Sequence, residues 1–180
     1  MGATPVLRAA TRADVPALAV LMRQSVLDVF PSFHDERETA AAAVYLTEPD
    51  TALIDDGTYY VYEVDGVIAA CGGWSKRDKL YTGSGAAPTD DRLLDPATEP
   101  ARVRAMFVRG DWTRRGLGRG ILAECVAAAR AAGFSDLTLM ATLPGVPLYR
   151  SFGFRDVRTA EVPLPNGVVL GGMVMDYPLT

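Results

Sequence analysis

The most informative segment of this chain reads Val108-Arg-Gly-Asp-Trp-Thr-Arg-Arg-Gly-Leu-Gly-Arg-Gly-Ile-Leu122. The residues ahead of it, from Val103 onward, are apolar at alternate positions, which is typical of a β-strand. The apolar residues behind it, from Leu117 to Ala129, recur at the spacing of one helix face. The segment therefore predicts a strand, a glycine-rich turn and a helix, in that order.

The start of this predicted helix suits an anion. The first N–H groups of a helix have no partner inside it and carry the positive end of its dipole, so each negative charge there gains roughly 0.3–1 kcal/mol. Gly116 and Gly118 have no Cβ, which lets a phosphate lie close to those amides. Arg114, Arg115 and Arg119 add positive charges around the same turn. The pattern predicts a phosphate site, although glycine also occurs in many ordinary turns.

The order of the glycines distinguishes among phosphate-binding loops. It does not follow the Gly-x-Gly-x-x-Gly order of dinucleotide folds, and the chain has no Gly-Lys-Ser/Thr, as a nucleoside triphosphate loop requires. The run resembles instead the acyl-coenzyme A loop of the GCN5-related N-acetyltransferases, Gln/Arg-x-x-Gly-x-Gly/Ala, which falls on Thr113 to Gly118. Thr113 departs from the family's usual first residue. A shifted match, from Arg115 to Gly120, would move the helix start.

A second motif of the same family lies downstream. Tyr149-Arg-Ser-Phe-Gly-Phe154 resembles the family's Tyr-x-x-x-Gly-Phe pattern and follows the loop in the expected order. Thr142 stands seven residues ahead of Tyr149, where many members carry an asparagine that contacts the cofactor arm. The resemblance covers residues 103 to 154 specifically, and the flanking patterns agree with the family's fold less specifically.

The resemblance implies a single α/β (α+β) domain over residues 1–180, with a mixed, largely antiparallel sheet flanked by helices. It implies transfer of an acetyl group from acetyl-coenzyme A to a primary amine of a small molecule or peptide, by direct attack in a ternary complex. Acetyl-coenzyme A is then a cosubstrate, and no metal is expected. The residues expected to bind it are Met106, Phe107, Val108, Arg114, Arg115, Gly116, Leu117, Gly118, Arg119, Gly120, Thr142 and Tyr149.

Tyr149 is the residue expected to act as general acid on the departing coenzyme A thiolate. A phenol with a pKa of ~10 is protonated at neutral pH, so it can donate a proton. Backbone N–H groups near Met106 or Phe107 are expected to stabilise the oxyanion. The base that accepts the amine's proton stays unassigned, because the strand before the turn carries no carboxylate. Glu63 and Asp78 are candidates, but the simpler explanation of each is an exposed strand or loop charge.

The composition narrows the possible functions. A chain of 180 residues suits one domain that buries roughly 70% of its unfolded surface. A formal net charge of −4 argues against a nucleic-acid binder despite the arginine cluster. No signal peptide is visible, and no apolar run approaches the ~20 residues that span a bilayer, so no membrane association is expected.

Three potentially reactive side chains have simpler explanations. Cys71 and Cys125 stand in apolar patterns, which predicts small buried hydrophobes rather than redox, metal or acyl-carrying groups and fits a reducing cytoplasm. His34, the only histidine, stands among acidic residues and is predicted to be solvated rather than catalytic.

The flanking elements follow from local signals. A strand from Val6 to Ala9 precedes a capping box at Thr11–Asp14, and the first helix is expected to end before Pro31. A second capping box is expected at Ser32–Asp35, followed by an alanine-rich helix that ends by Pro49.

Two hairpins and one long connection complete the chain. Asp65-Gly66 predicts a tight primed turn inside the hairpin from Thr58 to Trp74, and a last hairpin spans residues 158–177. Residues 76–100 have no sustained periodicity and either cover an acceptor pocket or form a surface excursion.

Three other functions stay open. A coenzyme A sensor without catalysis would bind cofactor and form no product with any amine. An acyltransferase for longer chains would need more room beside the thioester. A nucleic-acid binder would show a steep dependence of affinity on salt. No pattern identifies the acceptor, and an exposed apolar last strand would favour a homodimer.

Overall fold

The strands of the chain join in one sheet. The computed structural model describes residues 3–78 and 92–180. The strands are β1 (Val6–Ala9), β2 (Tyr59–Val64), β3 (Val67–Ser75), β4 (Ala101–Val108), β5 (Asp136–Thr142), β6 (Arg155–Pro163) and β7 (Val169–Pro178). The helices are α1 (Val15–Val29), α2 (Glu36–Tyr45), α3 (Thr51–Asp55), α4 (Leu117–Ala131) and α5 (Val146–Phe152), with 3-10 turns at Arg12–Asp14, Phe30–Ser32, Gly110–Trp112 and Leu143–Gly145. Helices precede β2, connect β4 to β5 and connect β5 to β6.

The sheet has the strand order β1-β2-β3-β4-β5-β7-β6, and only β4 and β5 are parallel neighbours. These two strands pair at Ala101 with Leu137 and at Arg102 with Thr138. Beyond these pairs the described residues show no further pairing between them, although β4 continues to Val108. A gap therefore opens inside the sheet, and backbone groups along its sides need other partners.

A bulge in β4 lies beside this gap. Ala105 has a φ of 53°, and the register with β3 shifts between Cys71 and Gly73. A Cβ at Gly72 would lie 2.7 Å from the sulfur of Met106, so this glycine makes room for the bulged strand. Such bulges re-aim side chains and often occur near functional sites.

Helices cover both faces of the sheet. On one face, α4 buries its apolar stripe against β3 and β4, including Ile121, Leu122 and Cys125. On the other face, α1 buries Leu18 and Met22 against the hairpin of β2 and β3. Each fully buried leucine or methionine contributes roughly 1.5–3 kcal/mol. The gap in the sheet therefore lies between the helix layer formed by α4 and the helix layer formed by α1.

The structure confirms the predicted fold class and most local signals. The turn of the first hairpin has φ angles of 50° at Asp65 and 78° at Gly66, as a type I′ turn requires. Thr11 and Asp14 form the predicted capping box, and α1 ends at Val29. The motif helix ends at a left-handed glycine, Gly133, with a φ of 93°.

Several local predictions are wrong. The second capping box joins Asp35 to Glu38 rather than Ser32 to Asp35, because the chain still turns at Phe30–Ser32. His34 is buried, with its ring stacked on Phe30 at 5.3 Å between centroids.

Two further expectations concern the tertiary arrangement. The last strand, β7, lies between β5 and β6 in the sheet, so it offers no exposed edge on which to predict a homodimer. The connection at 76–100 lies partly outside the described residues, which omit 79–91. Its described ends bridge each other at Arg77 and Leu93.

Both cysteines are buried as predicted. Burial raises the pKa of the Cys71 thiol to about 12 and also raises that of Cys125, so neither forms a thiolate readily. Within the described ranges, no three His, Cys, Asp or Glu residues gather as a metal site. No helix in the same ranges is long and apolar enough to cross a membrane.

Candidate active site

A cavity of about 900 Å³ passes through the gap between β4 and β5. Residues 103–108 of β4 form one side, and Met140, Thr142 and the start of α5 form the other. The turn before α4 borders one mouth of the cavity, and the end of α1 with the connector to α2 borders the other. The two mouths open toward opposite faces of the sheet, since Met106 and Tyr149 pack with α4 whereas Met140 packs with α2.

The turn before α4 has the geometry of an anion site. Gly116 caps the helix with a φ of 83°, and α4 begins at Leu117. The first bond of the helix runs from the Gly120 N–H to the Gly116 carbonyl at 2.9 Å. The N–H groups of residues 117–119 therefore have no partner within the helix. This start agrees with the motif match at Thr113 to Gly118 and rules out the shifted one.

The three glycines of the motif have different physical roles. Gly116 has a φ of 83°, which favours glycine, and a Cβ there would meet nothing within 4 Å. A Cβ at Gly118 would lie 2.7 Å from Leu148, so this glycine lets α5 approach α4. Gly120 accommodates the hydroxyl of Tyr62 and does not line the cavity. The position of Gly120 therefore does not support the expected contact with the cofactor.

Two of the three arginines line the cavity. Arg114 and Arg119 do so, and the guanidinium of Arg119 lies 5.4 Å from the ring centre of Phe152. Arg115 lies instead over the Trp112 ring, 4.6 Å from its centre, and does not line the cavity. The mouth beside α4 is thus positively charged, as an anionic ligand requires.

Side-chain hydroxyls already hydrogen-bond two backbone carbonyls of β4. The Arg109 N–H donates to the Ala69 carbonyl on β3, whereas the Val108 carbonyl accepts a hydrogen bond of 2.8 Å from the Ser25 hydroxyl on α1. The Ala105 carbonyl accepts from the Tyr59 hydroxyl at 2.6 Å. Sequence patterns missed both hydroxyls, although a serine on the apolar face of α1 is itself a signal of a buried partner.

Tyr149, the predicted general acid, lies on α5. It lines the cavity from α5 and is buried, and Gly145 makes room for its ring, since a Cβ there would lie 2.9 Å from the tyrosine Cε2. Burial raises the pKa of Tyr149 above its ordinary value, which keeps the phenol protonated at neutral pH. Thr142 lines the same part of the cavity.

Neither candidate base lies in the cavity. Glu63 forms an ion pair of 2.7 Å with Arg8 at the β1–β2 edge. Asp78 binds Arg92 and Arg102, and these partners lower its pKa. Among the described lining residues the only carboxylate is Asp28, whose position on α1 sequence reasoning did not single out.

The mouth beside α1 and α2 is mainly apolar, which the sequence patterns did not show. Phe30, Leu46, Phe107 and Met140 pack in one cluster there, and each lines the cavity. Phe33 lines it too and is 46% exposed.

The comparisons with known proteins agree with this geometry. A family model described as the acetyltransferase (GNAT) family matches residues 22–154. No curated protein matches the sequence significantly. A GCN5-related N-acetyltransferase of Rhodopseudomonas palustris superposes with a TM-score of 0.73 at 18% identity, covering 99% of this chain and 98% of its own.

Two further solved structures contain the cofactor. The PaiA N-acetyltransferase of Thermoplasma acidophilum, solved with coenzyme A, has a TM-score of 0.67 at 11% identity and covers 97% of this chain and 99% of its own. YncA of Salmonella typhimurium, solved with acetyl-CoA, has a TM-score of 0.64 at 19% identity, covering 98% and 95%. These likenesses show that the fold is that of the GCN5-related N-acetyltransferases. Because the family model spans well over half of the sequence, this chain belongs to the acetyltransferase (GNAT) family.

Proposed function

We propose that this protein transfers an acetyl group from acetyl-coenzyme A to a primary amine of a small molecule or peptide, by direct attack in a ternary complex. One observation carries the proposal: a single cavity joins the helix start, two arginines, an open strand edge and a buried tyrosine. Each of these groups meets one chemical requirement of an acyl-coenzyme A reaction. The solved neighbours that contain acetyl-CoA or coenzyme A support the choice of cosubstrate.

The helix start is assigned to the diphosphate of the cofactor. The N–H groups of residues 117–119 supply donors, and Arg114 and Arg119 supply positive charge. The pantetheine arm then lies along Met106–Val108 on the side of β4 that β5 does not cover. Since Ser25 already donates to the Val108 carbonyl, this carbonyl can accept from the arm only as a second acceptor bond.

The acetyl group then lies in the gap, where an amine can reach it from the mouth beside α1. A backbone N–H near Met106 or Phe107 stabilises the oxyanion formed by attack, a contribution worth ~3–4 kcal/mol where single donors have been removed. Tyr149 donates its proton to the departing thiolate. Coenzyme A therefore leaves as the thiol, and the proton that the attacking amine loses returns through water to the Tyr149 phenolate.

The attacking amine must lose a proton, and the cavity determines which group can accept it. In the apolar mouth, desolvation lowers the pKa of an ammonium group, so the neutral amine is favoured before attack. Among the described residues that line this cavity, Asp28 is the one carboxylate, and it lies beside Gly110. We therefore assign the proton acceptor to water rather than to a side chain.

The proposal is tested by calorimetry with coenzyme A and by release of coenzyme A from acetyl-CoA across a panel of primary amines, with the products identified by mass. Binding together with an acetylated amine is the expected result. Binding without product from any amine would contradict transfer and indicate a coenzyme A sensor.

The phosphate assignment is tested by Gly116→Ala with Gly57→Ala as its matched control. Both glycines have positive φ, 83° and 75°, and neither Cβ would meet an atom within 4 Å. Each variant is expected to lose about 1–2 kcal/mol of stability. Only the Gly116 variant places a methyl group in the cavity, and it should weaken coenzyme A binding about tenfold, or by ~1.4 kcal/mol. Equal Kd values for the two variants would contradict the assignment.

A further inference from the structure

We infer that the acceptor is a monoamine with an aromatic or otherwise apolar body, bound on the ring of Phe33. The inference rests on the proposed function and names its acceptor class. It depends on the conformation of the α1–α2 connector, the apolar lining of the adjacent mouth and the distribution of charge in the cavity.

The backbone at Phe33 belongs to a hydrogen-bonded turn. The N–H groups of Phe33 and His34 both donate to the Phe30 carbonyl at 2.9 Å. The buried His34 ring stacks on Phe30, and its Nδ1 lies 3.6 Å from Oε1 of Glu38 on α2. These contacts fix the backbone at Phe33, a residue that is 46% exposed and lines the cavity. An exposed aromatic ring at the rim of a cavity can pack against an apolar or aromatic group of a ligand.

The surfaces next to Phe33 are apolar as well. Phe30, Leu46, Phe107 and Met140 pack in one cluster and line the same cavity as Phe33. An acceptor whose amine reaches the gap passes its remaining atoms over these side chains. The exposed position of Phe33 at the rim favours an incoming acceptor over an acyl chain, which would extend from the thioester inside the gap.

The charges in the cavity argue against a polycationic acceptor. Its described lining residues include the arginines 104, 114 and 119 but only one carboxylate, Asp28. Arg104 is buried and binds Asp50 at 3.0 Å, and Asp28 accepts a hydrogen bond of 2.9 Å from Gln24. A polyamine or aminoglycoside needs several carboxylates to replace its lost hydration, and the described lining does not supply them.

The test compares three amines at saturating acetyl-CoA: 2-phenylethylamine, ethylamine and spermidine. The intact protein is expected to show the highest kcat/KM with 2-phenylethylamine. Phe33→Ala should raise the KM for that amine about tenfold, the effect of losing one aromatic contact, and leave the KM values for ethylamine and acetyl-CoA unchanged. Phe33→Tyr, which keeps the ring, should restore the KM.

Val44→Ala is the matched control. Val44 is an apolar residue of α2 that is 60% exposed and does not line the cavity, so its loss should change no KM. Calorimetry of 2-phenylethylamine added to the coenzyme A complex gives a readout that needs no turnover.

The outcomes separate the two proposals. Acetylation of spermidine with the highest kcat/KM, or an unchanged KM in Phe33→Ala, would overturn the inference and leave acetyl transfer standing. Binding of 2-phenylethylamine that is weakened by Phe33→Ala, without turnover of any amine, would support the pocket and overturn the transfer. A preference for longer acyl donors that Phe33→Ala abolishes would assign the platform to the acyl chain and overturn the inference.

Discussion

Replacing Tyr59 with phenylalanine is expected to slow acetyl transfer without unfolding the protein. The Tyr59 hydroxyl, on a side chain only 1% exposed, donates to the Ala105 carbonyl at 2.6 Å. Ala105 has a left-handed φ of 53°, which costs a non-glycine residue about 1–3 kcal/mol and persists only where other contacts hold it. Tyr59 is one of those contacts, and it acts on the strand just before Met106.

The expected magnitude follows from this bond. Removing the hydroxyl leaves the partly buried Ala105 carbonyl without this donor, at a cost of about 1–3 kcal/mol. That cost is comparable to the strain at Ala105, so the bulge relaxes and the N–H groups near Met106 move. A displaced donor loses part of the ~3–4 kcal/mol that one oxyanion contact supplies, and we expect kcat to fall about tenfold. The KM for acetyl-CoA should stay constant, because the diphosphate is held at the start of α4.

The assay is steady-state kinetics with thermal unfolding, and Tyr60→Phe is the control. Tyr60 is the next residue of β2, and its hydroxyl accepts a hydrogen bond of 3.3 Å from Trp74 on the opposite face. Both variants should lower Tm by a few degrees, about 2–4 °C per kcal/mol in a chain of this size. An equal loss of kcat in both variants, or an unchanged kcat in Tyr59→Phe, would refute a positioning role for Tyr59.

Two further predictions concern proton transfer and acid stability. Tyr149→Phe should lower kcat at least about tenfold while the calorimetric Kd for coenzyme A stays the same, and an unchanged kcat would remove its role as general acid. Hydrogen bonds from Arg8 lower the pKa of Asp14 from 3.8 to about 2, so this pair stabilises the fold above pH 4 and loses its contribution as the pH falls toward 2. Asp14→Asn should therefore reduce the free energy of unfolding at pH 7 by about 1–2 kcal/mol, a value discounted for solvent screening at the partly exposed Arg8, and should behave like the parent near pH 2. A constant difference in urea unfolding across this range would contradict the assignment.

The sequence predicted features that depend on neighbouring residues. The turn at Asp65-Gly66, the helix start after Gly116 and the left-handed end at Gly133 follow from backbone preferences within a few positions. The order of the two motifs was enough to place Tyr149 beside the turn.

The same local signals failed where a contact outweighed them. Asp35 caps α2 because the 3-10 turn at Phe30–Ser32 delays the helix, which a capping pattern at Ser32 does not reveal. His34 looked solvated among acidic residues, yet the turn places its ring on Phe30. Cofactor binding by Gly120 of α4 stays a prediction, and in the structure its missing side chain makes room for the hydroxyl of Tyr62 on β2.

The mouth of the cavity beside α1 depends on tertiary structure alone. Ser25 reaches a carbonyl 83 positions away and Tyr59 reaches one 46 positions away, and no periodicity relates such residues. The edge of β4 is open because β5 diverges from it after two paired positions. Phe33 borders a cavity because β4, β5 and the end of α1 pack around the same space. Propensities of neighbouring residues act through the backbone and can be read from spacing, whereas these contacts exist only once the layers have packed against each other.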